Sequence, residues 1–218
     1  MHNVRFPGES EEYRAKRNEL LQAEVDLRAK IEQVAALRRQ LPLGGAVADY
    51  QFDSAQGTVG LHELFGQHDT LLVYSFMYGP DDANPCPMCS AFIDSLSGQL
   101  PHLNQRMSVV VAARAPMPKI QTMVQDRGWQ DVTWVSAAGN TFAQDYHTEM
   151  PNGAQVPMCN VFVREAHAIR HFWTSEAFFI PWDNHPRHVD MLWPLWHYFD
   201  LIPEGRGEFM PGLNYTSG

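Results

Sequence analysis

The run LLVYSFM, Leu71 to Met77, ends in YGP and is followed nine residues later by the first of two cysteines in NPCPMCS, Cys86 and Cys89. No other stretch constrains the fold as tightly. A continuous apolar, β-rich run of this length is the pattern of a strand covered on both faces, as in a parallel sheet flanked by helices. Residues Cys89 to Leu100 then read as a helix, with Phe92, Ile93, Leu96 and Leu100 on one face. A C-x-x-C pair set between a strand and a helix, with a proline inside it, is a far stronger signal than the spacing alone. Pro87 suits the first helical position, where its missing N–H forfeits no hydrogen bond. A cysteine there points its sulfur at unpaired backbone N–H groups and at the positive end of the helix dipole. Both favour the thiolate, which is the nucleophilic form. Cys89 would lie beneath Cys86, close enough to attack a mixed disulfide formed on it.

The remaining composition limits what such a pair can be. Three cysteines in 218 residues are no disulfide scaffold. A chain with 44% hydrophobic and 19% charged residues should be globular and soluble. The formal net charge of −9 argues against nucleic acid as a partner, since no broad phosphate-neutralising face is available. No run approaches the ~18 apolar residues of a membrane span, and MHNVRFPGESEE lacks the pattern of a secretory signal. A reducing cytoplasm is therefore the expected home, and there a close cysteine pair serves redox or metal chemistry rather than a structural clip.

The chain reads as an arm, residues 1–45, and a body, residues 46–218. Ser10 is the expected N-cap of a helix that begins with Glu11 and Glu12, where the dipole favours negative charge. Leu20, Leu27, Ile31, Val34 and Leu41 fall on one stripe of that helix, and Pro42, Gly44 and Gly45 stop it. Glu24 and Arg38 interrupt the stripe, which argues against a sustained coiled coil. The helix is expected to lie against its own domain, with a homodimer arm as the alternative. In the body, Asp49–Phe52 reads as a short edge strand and Thr58–Gly66 as a turn into a short helix. Met107–Ala112 is a second buried strand, Pro118–Arg127 a helix and Trp134–Ala137 a third strand. Val156–Val163 with Ala168–Trp173 forms a hairpin, and Val189–Phe199 is a final helix. That order predicts an α/β domain with a central mixed sheet between helices.

With these motifs in place the chain resembles the thioredoxin-like superfamily. More closely, it resembles a bacterial thioredoxin-like family of unknown function whose members are described as predicted dithiol-disulfide oxidoreductases. The resemblance runs through RRQLP, DYQFD, SFMYGP, PCPMCS, VAARAP, DRGW, WVSAAGNTFAQDYH, NVFVREAHAIRHFW and PRHVDMLWPLWHYFDLIPEGRG. It implies a thioredoxin-like fold with an N-terminal helical extension, and Cys86 with Cys89 as the redox pair. It implies no particular substrate and no cofactor. Such folds also present a cis-proline opposite the active cysteines, which nominates Pro157 in QVPMCNVFV. A cis bond there would leave the Val156 backbone open to pair with an extended substrate segment. Cys159, two residues on, could be a third redox thiol or a metal ligand, but burial as a small apolar residue is the expectation.

Other residues are weaker candidates. Arg114, in VAARAP, falls at the end of its strand where α/β sheets place their sites. It could steer an anionic partner, hold a thiolate, or pair with a carboxylate. Among the ten histidines, His167 and His171 share a strand face about 13 Å apart, too far for one ion. His185 and His188 flank Pro186-Arg187, where anchoring of the last helix through Asp183, Arg187 and Asp190 outweighs metal binding. His147 lies in the region from which thioredoxin-like copper chaperones bring a histidine toward paired cysteines. The aromatic stretch FWTSEAFFIPWDN is expected to be core, with a substrate-groove wall as the minor alternative.

Three functions compete. The leading one is thiol–disulfide exchange with a protein or small-molecule substrate, Cys86 attacking and Cys89 resolving. A cysteine-based metal or copper-chaperone-like binder is the alternative, with no metal site otherwise assigned. A peroxiredoxin-like peroxidase is disfavoured, because Ala83 and Gly79 stand where such enzymes carry a proline and a threonine or serine before the reactive cysteine.

Overall fold

The computed structural model describes residues 4–166, 168–180 and 190–215. The chain divides into two compact units, Met1–Pro42 and Leu43–Gly218. The first is built on helix α1, Glu11–Arg39, whose N-cap is Ser10 as its sequence requires. The Ser10 hydroxyl oxygen accepts from the Tyr13 N–H at 3.0 Å. Glu11 and Glu12 occupy the first turn and Arg38 and Arg39 the last, so both ends complement the helix dipole. The buried residue of α1 is Arg14, which forks onto Glu9 with contacts of 2.9 and 2.6 Å. Leu20, Leu27 and Ile31, the centre of the apolar stripe, are 52%, 61% and 44% exposed.

The second unit contains one seven-stranded sheet of order β2-β1-β5-β4-β3-β6-β7. The strands are β1 (Gln51–Ser54), β2 (Gly57–Gly60), β3 (Thr70–Phe76), β4 (Ser108–Ala113), β5 (Thr133–Ser136), β6 (Met158–Arg164) and β7 (Ile169–Thr174). β3, β4 and β5 run parallel, while β6 and β7 return antiparallel on one side and β1 and β2 on the other. The helices are α2 (Leu61–Leu64), α3 (Pro87–Ser97), α4 (Leu100–Leu103), α5 (Met117–Arg127), α6 (Phe142–Asp145) and α7 (Pro194–Phe199). A parallel strand–helix–strand unit, β3-α3-β4, beside the β6–β7 hairpin and closing helix α7, is the thioredoxin-like arrangement.

The two-residue period of the strands explains why the central ones must be apolar throughout. Leu72, Tyr74 and Phe76 of β3 join Val109, Val111 and Ala113 of β4 in one core cluster. Phe92 and Ile93 of α3, Ile120 of α5 and Trp196 of α7 cover that face. Leu71 and Val73 point the other way, with Val110, Ala112 and Val135, under Leu61, Phe65 and Phe142. Both faces are thus dry.

Some expected elements shift. The Asp49–Phe52 strand lies at Gln51–Ser54 and is half of a hairpin whose second strand, β2, takes residues read as a turn. The turn is closed by the Ser54 hydroxyl donating to the Gly57 carbonyl at 2.7 Å, a local device that apolar patterning does not reveal. The helix expected over Val189–Phe199 spans only Pro194–Phe199, because Pro194 starts it. The glycines that end the arm have a second task. The Gly44 N–H donates to the His171 carbonyl at 2.9 Å. A Cβ on Gly44 would lie 2.6 Å from that oxygen, so the chain can approach β7 only as glycine.

Candidate functional site

β3 ends at Phe76, and the loop from Met77 to Cys86 returns to it: the Cys86 N–H donates to the Met77 carbonyl at 3.1 Å. Cys86 is the N-cap of α3 and Pro87 its first residue, so the pair occupies the first turn. The Cys86 carbonyl accepts from the Ser90 N–H and from the Ser90 hydroxyl, both at 2.9 Å. The helix start is thereby fixed on both sides of the sulfur.

The two thiols sit in opposite environments. Cys86 is half-buried and Cys89 is buried; both are free. The Cys89 thiol, and then the backbone N–H groups of Cys89 and Met88, outweigh partial burial and lower the Cys86 thiol to about 6. Burial, followed by hydrogen bonding and charge from Cys86, pushes the Cys89 thiol well up. At neutral pH one sulfur is an accessible thiolate and the other a protonated thiol beneath it.

The loop ahead of Cys86 is held by residues that the sequence did not single out. Asp82 accepts from the Gly79 N–H at 2.6 Å and from Gln155 at 2.7 Å. Those donors hold its carboxyl below the usual range. Lys119, on α5, donates to the carbonyls of Gly79 at 3.2 Å and Pro80 at 2.8 Å, and also to that of Asp82. Its ammonium stands 4.6 Å from the Tyr78 ring centroid. A lysine two residues after a helix begins is too ordinary to notice in a sequence. Tyr74 is also new: it is buried in the same core cluster as Cys89. It was legible only as one more β-rich residue in an apolar run.

Pro157 is where the strand order requires it, but its peptide bond differs from expectation. It precedes β6, whose Met158 and Cys159 pair with Ser75 and Tyr74 at the end of β3. Among the described residues no peptide bond is cis, so Val156–Pro157 is trans. The Val156 N–H donates to the Thr148 carbonyl at 2.9 Å. Val156 itself is buried. The cis bond expected at Pro157 is thereby corrected, and the Val156 N–H is already used within the chain.

Arg114 takes the third of its three options and pairs with Glu149, which also accepts from Gln144. It does not feature among the groups acting on the Cys86 sulfur. Cys159 is buried, as expected, and burial pushes its thiol up to about 12. His171 is bound to Asn160 at 3.1 Å and lies against the rings of Tyr146 and Phe162. His147 is exposed, with a left-handed φ of 55°. Its ring stands edge-on to Phe179 at 6.3 Å. Within the aromatic stretch, Phe179 and Ile180 are exposed rather than core. His167, and Asp183, His185, Arg187 and His188 with the end of that stretch, lie outside the described residues. Among the described residues no three His, Cys, Asp or Glu side chains form a metal-holding group. No helix among them is long and apolar enough to cross a membrane.

A dithiol at the junction of a parallel strand and the next helix, in a sheet closed by a β-hairpin and a helix, defines a thioredoxin-like domain. Residues 3–217 match the model of a family described as bacterial proteins of unknown function, DUF899. The chain belongs to that family. The comparison with curated proteins finds no match. Solved structures similar to the chain include a hypothetical protein from Sinorhizobium meliloti, with TM-score 0.45 and 18% identity over 67% of this chain and 75% of that one. Peroxidoxin BcpB from Mycobacterium tuberculosis gives TM-score 0.47 and 19% identity over 70% and 94% of the two chains. A candidate thiol:disulfide interchange protein DsbE from Chlorobium tepidum gives 0.41 and 12% over 62% and 85%.

Proposed function

We propose that the protein is a thiol–disulfide oxidoreductase in which Cys86 attacks and Cys89 resolves. The observation that carries this reading is the opposed state of the two sulfurs: a half-buried Cys86 with its thiol lowered to about 6, over a buried Cys89 whose thiol is pushed well up. The Cys86 thiolate adds to one sulfur of a substrate disulfide, the substrate S–S bond breaks, and the departing sulfur leaves as a thiolate that takes a proton. Cys89 then loses its proton and attacks Cys86, releasing the second substrate thiol. The substrate gains two electrons and the Cys86–Cys89 pair loses two; an external dithiol restores the pair by the same exchange in reverse. A thiolate stabilised only in the reduced state favours that state, which inclines the pair toward oxidising other dithiols. The trans Pro157 and the occupied Val156 N–H remove one support that the sequence offered for a peptide substrate. A small disulfide or an exposed protein cystine fits the reading equally well.

The test is to oxidise the protein with glutathione disulfide, alkylate remaining thiols, and map the product by peptide mass. A Cys86–Cys89 disulfide that dithiothreitol reverses is expected. A stable glutathione adduct on Cys86 without resolution, or no modification at all, rules the assignment out.

A further inference from the structure

One face of α5 is turned toward the loop that leads into the dithiol. Lys119, Thr122, Met123, Asp126 and Arg127 follow the three- and four-residue steps of a single helix face. Together with Ala83, Asn84 and Pro85 they line a cleft of about 620 Å³. That size is within the ~300–1,000 Å³ of small-molecule sites. Leu213 and Asn214 supply a further wall. They are fixed there because Arg127 donates to the Leu213 carbonyl at 2.6 Å while pairing with Asp94 of α3 at 3.0 Å. Pro85 is bonded to Cys86, and successive Cα atoms lie ~3.8 Å apart, so the cleft begins one residue from the attacking cysteine.

The charges along that face are ordered. Lys119 gives its hydrogens to the Gly79, Pro80 and Asp82 carbonyls and makes no ion pair among the described residues. The Asp82 carboxylate turns to Gly79 and Gln155 instead. A positive charge is thus held in place in the cleft wall without a paired carboxylate. Asp126 is exposed and likewise makes no ion pair among the described residues. It stands seven residues beyond Lys119, which is ~10 Å along the same face at the ~1.5 Å rise of a helix. The charge of Arg127 is already taken by Asp94. Thr122, Asn84 and Asn214 add hydrogen-bonding groups to the lining. The matching ligand carries a carboxylate at one end, an ammonium at the other and amides between. An extended chain covers ~3.3–3.6 Å per residue, so ~10 Å corresponds to about three residues.

We propose that this cleft binds a short zwitterionic peptide disulfide, its carboxylate toward Lys119 and its ammonium toward Asp126, and presents the S–S bond to Cys86. The proposal rests on the dithiol reading above and names its substrate class. Cys86 adds to one sulfur, the peptide S–S bond breaks, and one peptide thiol leaves with the electron pair and a proton. Cys89 then displaces the second peptide thiol. The peptide disulfide gains two electrons, and the protein is left with a Cys86–Cys89 disulfide.

The probe is glutathione disulfide, a tripeptide disulfide with a terminal carboxylate and an ammonium in each arm, set against bis(2-hydroxyethyl) disulfide, which is small and uncharged. The reduced full chain is mixed with each over a range of concentrations and quenched in acid, and the Cys86–Cys89 disulfide is followed by mass. Glutathione disulfide is expected to saturate the rate, and bis(2-hydroxyethyl) disulfide to raise it linearly. Thr122→Trp, at an exposed position, fills the cleft and should abolish the saturation. Asp126→Asn should lower the ratio of the glutathione disulfide rate to the bis(2-hydroxyethyl) disulfide rate about three-fold, the size of one exposed ion pair. Lys119 is kept in both variants, because it also holds the loop. A wild-type glutathione rate that stays linear, or a response to glutathione disulfide that either variant leaves unmoved, overturns the cleft assignment while leaving the dithiol reading intact. No Cys86–Cys89 disulfide with either compound overturns both.

Discussion

Replacing Cys89 by alanine removes the largest influence that holds the Cys86 thiol low, and the consequences can be worked from the site. With its thiol lowered to about 6, Cys86 is about nine-tenths thiolate at pH 7, against about 3% for a free thiol of pKa ~8.5. That gain is roughly thirty-fold, but a less basic sulfur is also a weaker nucleophile. With a Brønsted slope of ~0.45, a drop of about 2.5 units loses some thirteen-fold. Only about a two-fold advantage over a free thiol remains at pH 7, rising to about ten-fold at pH 6. The diagnostic quantity is therefore the midpoint of the pH profile and not the rate at one pH. Removing the Cys89 thiol leaves the backbone N–H groups of Cys89 and Met88 in place. A thiol is a weak donor, so the midpoint should rise by about one unit rather than return to ~8.5. At pH 6 the thiolate fraction would fall about five-fold. Cys89→Ser, which restores a donor, should lie nearer the wild type. The assay is exchange with 2,2′-dithiodipyridine from mildly acidic to mildly alkaline pH. Cys159, buried with its thiol near 12, stays silent there. A wild-type midpoint near that of a free thiol, or one that Cys89→Ala leaves unmoved, refutes the reasoning.

Further outcomes follow from the same structure. The Cys86 thiol is lower in the folded chain, about 6, than the ~8.5 of a free thiol, so the unfolded chain binds more protons between those values. Relative to Cys86→Ser, wild-type stability should rise with pH across that interval, by at most ~1.4 kcal/mol per unit before solvent screening reduces it. The difference should vanish as pH falls through about 6, and urea melts at several pH values measure it. Arg114→Ala strands the largely buried Glu149 and should lower stability by ~1–2 kcal/mol in urea unfolding, with the Cys86 profile unchanged. A shifted profile would return Arg114 to the thiol site. Leu20, Leu27 and Ile31 are exposed, and we propose the alternative reading of the arm, a homodimer seam; glutamine at all three is then expected to convert a sedimenting dimer to monomer. A wild type that is monomeric at high concentration removes that proposal.

The features legible in the sequence are those fixed by short-range pattern. Leu71–Met77 had to be a doubly covered strand because both its odd and even positions are apolar, and they feed the two core clusters. The Cys86–Pro87–Cys89 spacing placed one sulfur at the helix start and the other beneath it, because helix geometry offers no other arrangement. Ser10 and the Pro42–Gly45 break marked the ends of α1 by cap chemistry. Contacts between distant segments could not be read. Asp82 meets Gln155 across 73 positions, and Lys119 reaches the Pro80 carbonyl from 39 away; nothing local to either residue signals the pairing. Pro157 shows the same limit from the other side. Its place beside β3 follows from strand order, while nothing in the residues around it signals that its peptide bond is trans.

The central claim assigns different jobs to two cysteines three positions apart, and a trapping measurement addresses it directly. Wild type, Cys86→Ser and Cys89→Ser proteins are each mixed with glutathione disulfide, quenched with acid at successive times, and weighed intact. The account predicts a lasting single glutathione adduct on Cys89→Ser, mapped to Cys86. It predicts no comparable adduct on Cys86→Ser, and only a transient adduct on wild type before the internal disulfide forms. Equal adducts on both serine variants, or a persistent adduct on Cys89 alone, would contradict it.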